Sequence, residues 1–135
     1  MTDLKYVPPE WWFEQSVEDH ITAKSNLDTG RFYAAAFYAH QTAEKAVKFA
    51  IVHSGREMPY THSMRQLVSA CEMPDRVRDA AMELGPLYGK AKCPYHADGV
   101  PAYLFDSEQA RGFIEKAGIV LEWARSIHDG EVVPE

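Results

Sequence analysis

Long apolar runs, abundant cysteine and a surplus of positive charge are all missing from this sequence. No stretch approaches the roughly 20 consecutive apolar residues that cross a bilayer, so no membrane partner is expected. The N-terminal segment lacks the charged-then-apolar pattern of a secretory leader, which sets the expectation of a cytoplasmic protein. Cysteine occurs only as Cys71 and Cys93, too few for a secreted disulfide framework, and reduced thiols are expected. Acidic residues outnumber Lys and Arg by 20 to 14, a net charge of −6, which excludes a broad basic nucleic-acid surface but not a small basic pocket. There is no phosphate-cradling glycine loop, no nucleophile elbow and no His-Glu-x-x-His. Internal repeats, low-complexity tracts and linkers are absent too.

What is present is helical periodicity. The chain of 135 residues suits one domain spanning 1–135, with a core over about 10–128 and a loose tail over 129–135. Phe13, Ser16, His20, Ala23 and Leu27 recur at three-four spacing, place one apolar stripe on a helix near 10–29, and meet a stop at Gly30. Phe32, Ala36, Ala39, Ala43, Ala46 and Ala50 repeat the pattern over 31–54, before Gly55. Small residues on a seam let another helix approach closely, which makes this the central helix. Shorter helices are predicted over 62–71, capped by Thr61 or Ser63, and over 75–88, where Val77, Ala81 and Leu84 face inward with Tyr88 at the margin and Gly85-Pro86 is the place for an end or a kink. A glycine- and proline-rich loop covers 89–101. The last helix, 107–128, is capped by Asp106 or Ser107. Its seam is Ala110, Phe113 or Ile114, Ala117, Leu121, Ala124 and Ile127. No segment alternates like a strand. The fold class is therefore all-α, an antiparallel up-and-down bundle of four to five helices.

Several residues carry chemistry. Glu44 and Lys48 share a helical face at four-residue spacing and form either an intrahelical ion pair or part of a polar wall. Lys90, Lys92 and His96 place positive charge in the 89–101 loop. Metal-independent RNA cleavage needs a base, an acid and a cation for the phosphate, and Lys92 with His96 supplies part of that set. Arg56 and His62 form an Arg-x5-His string, but seven arginines and six histidines give about one such match by chance. His62 is expected to start the third helix and bond nearby backbone. His20 reads as a core histidine bonded to a carbonyl. Cys93 and His96 are two potential ligands and not a site, so neither metal nor cofactor is expected. Tyr6, Trp11 and Trp12 form either a dimer patch or a cap on the core.

The run Phe37-Tyr38-Ala39-His40-Gln41-Thr42-Ala43-Glu44-Lys45-Ala46-Val47-Lys48 is followed by Pro59-Tyr60-Thr61-His62-Ser63, Leu67, Tyr88 and Lys92-Cys93-Pro94-Tyr95. Together these resemble the HEPN domain family over Trp12 to Ile127. The resemblance implies a helical bundle that often forms a homodimer. It also implies binding of nucleotide or RNA, and a separate small nucleotidyltransferase as partner, as in toxin–antitoxin pairs whose HEPN member cuts RNA. Cutting members carry Arg-x4–6-His next to the last helices. Here Lys92 stands in the arginine's place and His96 follows one position early, and lysine cannot fork a phosphate as arginine does. Three readings follow: a nucleotide- or RNA-binding module with Lys90, Lys92, His96, Glu44 and Lys48 at the site; a metal-independent endoribonuclease using Lys92 and His96; and a non-catalytic oligomerisation scaffold.

Overall fold

The computed structural model describes residues 6–130, and every described element is helical. Four longer helices, α1 (Pro9–Asp28), α2 (Phe32–His53), α4 (Asp75–Leu84) and α7 (Ser107–His128), make the bundle. Three short ones, α3 (Met64–Val68), α5 (Leu87–Lys90) and α6 (Pro94–Ala97), and a 3-10 turn at Pro101–Tyr103 occupy the connections. The bundle expected from periodicity is present. The 75–88 segment ends its first helix at the expected Gly85-Pro86 position and divides into α4 and α5, because proline supplies no amide hydrogen to continue the ladder. The segment expected as loop holds α6 and the 3-10 turn, whose lengths are too short to show any period. The part of the expected tail beyond Gly130 lies outside the described residues.

α2 is the central helix, packed between α1 and α7. Ala35, Ala36, Ala39, Ala43 and Ala46 are completely buried, so the helix meets its neighbours nearly backbone to backbone. The turn from α1 to α2 passes through Gly30 at φ 79°, a left-handed conformation that a side chain would strain. Polar groups between these two helices are paired. Ser16 Oγ donates to the Thr42 carbonyl at 2.7 Å, and Lys45 Nζ reaches the buried Asp19 carboxylate at 2.9 Å. Asp19, one position before the expected His20, is therefore the buried polar member of the α1 stripe beside Ser16. His20 is half-buried, with Nε2 3.4 Å from the Ile114 carbonyl of α7.

α7 begins with a reciprocal capping box. Asp106 accepts from the Gln109 amide at 2.8 Å, and the Gln109 side chain accepts from the Asp106 amide at 2.9 Å. The inward residue at the alternative position is Ile114, while Phe113 is only partly buried. Because Ala43 has no space around it, Ala43→Phe is expected to cost about 1–3 kcal/mol by overpacking. Urea unfolding measures this, and parent-like stability would remove α2 from the centre of the bundle.

Candidate functional site

Glu44 organises the polar side of α2. Its Oε2 accepts from Lys48 Nζ at 2.7 Å and from His62 Nδ1 at 2.9 Å, and its Oε1 lies 3.7 Å from His40 Nδ1. Glu44, Lys48 and His40 are all buried. Burial by itself pushes the Glu44 carboxyl up, but the bond and charge of Lys48, the bond from His62 and the proximity of His40 outweigh it and hold the group below its ordinary range. His40 is pushed down by burial, so its neutral form is favoured despite the nearby carboxylate. Its Nδ1 donates to Gln41 Oε1 at 3.2 Å, leaving a buried Nε2 without a protein partner. The Lys48 ammonium also lies 5.2 Å from the centre of the Trp12 ring.

His62 is where the structure departs most from expectation. It does not bond local backbone. It precedes α3, whose cap is Ser63, and turns back to Glu44 across 18 residues of sequence. Its ring stacks on Tyr88 of α5 at 4.6 Å between centroids and 12° between planes. The carboxylate accepts the Nδ1 hydrogen, so the neutral imidazole carries its lone pair on Nε2. The imidazole is 55% exposed while the carboxylate that holds it is 2% exposed.

His62, Arg65, Tyr88, Lys90 and His96 open onto one cleft of about 590 Å³, with Met64, Met82, Gly85 and Pro86 completing much of the wall. Gly89 makes the close approach of His96 feasible. A Cβ at position 89 would stand 2.9 Å from His96 Cγ and 3.0 Å from its Cβ. Of the residues singled out by sequence, Lys90 and His96 therefore share the cleft. Lys92 does not line it, since its ammonium lies over the Tyr88 ring at 3.8 Å. Glu44 and Lys48 are not a cleft wall either. They are buried behind His62, where the short ion pair replaces contact with solvent. His62 and Tyr88 belong to the cleft, and the α2 stripe with its later Thr-His was the signal pointing at the histidine. Arg56 does not join His62 there.

No group of three or more His, Cys, Asp or Glu side chains suited to a metal occurs among the described residues, and Cys93 and His96 remain an isolated pair. Tyr6 and Trp11 are exposed, whereas Trp12 packs on the core. No described helix is long and apolar enough to cross a membrane.

The fold is a helical bundle whose central helix presents a Glu-Lys pair to a histidine from the next connection. The HEPN family profile matches residues 9–127, and the chain belongs to the HEPN family. Among solved structures, the chain is similar to the crystal structure of ST0689, an archaeal HEPN homologue. That match has TM-score 0.79 and 26% identity, covering 90% of this chain and 98% of the other. It shares its fold with TT1696 from Thermus thermophilus, at TM-score 0.80 and 24% identity, covering 87% and 96% of the two chains. No curated protein matches.

Proposed function

We propose that the cleft between His62, Lys90 and His96 binds the phosphate of a nucleotide or RNA. The observation that carries this reading is the convergence of two histidines, a lysine and Arg65 on one cleft in a chain of net charge −6. Tyr88 and the methionines give the same cleft apolar surface for a base, and Lys92 steadies Tyr88 through its ring. Glu44 and Lys48 contribute by holding His62. Membership of the HEPN family supports a homodimer and a separate nucleotidyltransferase partner of the toxin–antitoxin kind, in the cytoplasm.

Titration with AMP and with a short RNA tests the cleft. Lys90→Ala/His96→Ala is expected to weaken both by about tenfold or more while leaving the fold intact, and binding should weaken with added salt. Equal weak responses from parent and variant would make the cleft ordinary surface and leave the scaffold reading in place.

A second reading has its own observation. His62, oriented by Glu44 with Nε2 free, faces the same cleft as His96, and one base with one acid is what metal-independent RNA cleavage needs. In this reading His62 and His96 replace the pairing of Lys92 with His96, and cleavage persists in chelator.

A further inference from the structure

A second cleft of about 710 Å³ adjoins the first, sharing Arg65 and Met82 with it. It lies among the start of the α2–α3 connection, α3, the α3–α4 connection and α4, and three of the chain's seven arginines line it: Arg56, Arg65 and Arg78. Such a concentration is unexpected in an acidic chain, because like charges brought together on one wall repel one another unless something negative sits between them. Protein carboxylates answer only part of it. Arg78 pairs with Asp75 at 3.2 Å, whereas Arg56 and Arg65 have no ion pair among the described residues. Glu72 is the one carboxylate in the lining and pairs with none of the three. The buried Cys71 lines the same cleft as Arg56 and Arg78. Ser69 adds a hydroxyl to the lining, though it donates to the Gln66 carbonyl at 2.9 Å.

Guanidinium groups are planar forks of donors matched to phosphate oxygens, unlike the single ammonium of Lys90 in the first cleft. The two clefts are neighbours with Arg65 lining both. A mononucleotide monophosphate has one phosphate to place, while a strand has successive phosphates.

We propose that Arg56, Arg65 and Arg78 form a second phosphate subsite, and that the ligand spanning both clefts is a single-stranded RNA segment rather than a mononucleotide. The inference rests on the phosphate-binding reading of the first cleft and names its ligand class.

The test compares a fluorescein-labelled 12-nucleotide oligouridylate with AMP, by anisotropy and calorimetry, across a salt series. Arg56→Ala/Arg78→Ala is expected to weaken the oligouridylate by about tenfold or more and to leave AMP unchanged. The slope of log affinity against log salt is expected to fall by about 1.4, at about 0.7 for each lost phosphate contact on a single strand. Unchanged oligouridylate affinity overturns the subsite and leaves the first cleft's reading standing, as does an equal loss for AMP and oligouridylate. If instead Lys90→Ala/His96→Ala affects neither ligand while the arginine variant still loses the oligouridylate, the first reading fails and the arginine site survives as an independent RNA contact. Should the alanine pair unfold, Arg56→Lys/Arg78→Lys decides. It keeps both charges and loses the forks, so it must weaken the oligouridylate several-fold with the salt slope nearly unchanged, and parent-like binding overturns the subsite.

Discussion

Glu44→Ala is expected to destabilise the protein by about 3–5 kcal/mol, because it strands a buried ammonium. The Glu44 side chain is 2% exposed and that of Lys48 8%, so water cannot replace the lost partner. The Trp12 ring near the ammonium compensates only in part, since a cation–π contact of this kind is worth about 0.5–2 kcal/mol. Removing both charges should be milder than removing one, so Glu44→Leu/Lys48→Met is expected to recover much of the loss in urea unfolding. A Glu44→Ala protein as stable as its parent would mean that the pair holds nothing together.

The same network gives stability a pH dependence with a definite sign. Glu44 is held below its ordinary value of 4.5, so its contribution is complete above that value and fades as pH falls through the lower, folded one. Burial lowers His40 and His20 from 6.5, so the unfolded chain takes up their protons first and stability declines as pH falls through that value. His128 acts oppositely. Its bonds to Asp129 and Glu10 raise it, and its contribution is full below 6.5 and lost as pH rises past the folded value. His40 is fully buried and should dominate, so the melting temperature is expected to fall from pH 7 to 5, with a further drop below 4.5 that Glu44→Gln lacks.

Phe49→Ala is the other large effect, again expected near 3–5 kcal/mol, and its origin is wholly apolar. The Phe49 ring is 1% exposed and joins three helices. It lies 5.4 Å from Phe13 of α1, 5.9 Å from His128 of α7 and 5.2 Å from His53 at the end of its own helix. Phe13 and His128 stack on each other at 4.1 Å, so truncation opens a cavity between two partners already committed to one another. Small domains are stable by only about 5–15 kcal/mol, which makes this a large fraction of the total. Phe49→Leu, closer in volume, is expected to cost less than about 1.5 kcal/mol if its neighbours repack. A loss under about 1 kcal/mol for the alanine variant would show that α1 and α7 close without this ring.

Phe49 also marks the limit of what the sequence discloses. The alanine seam of α2 was legible because small residues at three-four spacing have one good use, and Gly30 and Gly55 were legible as stops because only glycine tolerates their positive φ. The choice between Asp19 and His20 was not legible, since offsets of three and four from Ser16 both fall on the stripe. Lys45, across 26 residues, decides it. Lys90 and His96, which line one cleft, stand out in the sequence by local charge density, a property of a short window. His62 and Tyr88 escaped because their roles rest on contacts with each other and with Glu44, set by how the α2–α3 connection folds back. Lys92 was misplaced for the same reason. Its charge was visible in the sequence, but its ring partner was not.

Gly89 separates the demands of folding from those of binding. It sits inside a helical turn, where alanine is the better residue by roughly 0.5–1 kcal/mol, and no positive φ calls for glycine there. What it supplies is an absence of volume into which His96 leans. A library selected for heat resistance would gain from alanine here only if His96 were also free to move away. A library selected for ligand capture would have to hold the glycine and His96 as a pair, since neither position can change alone.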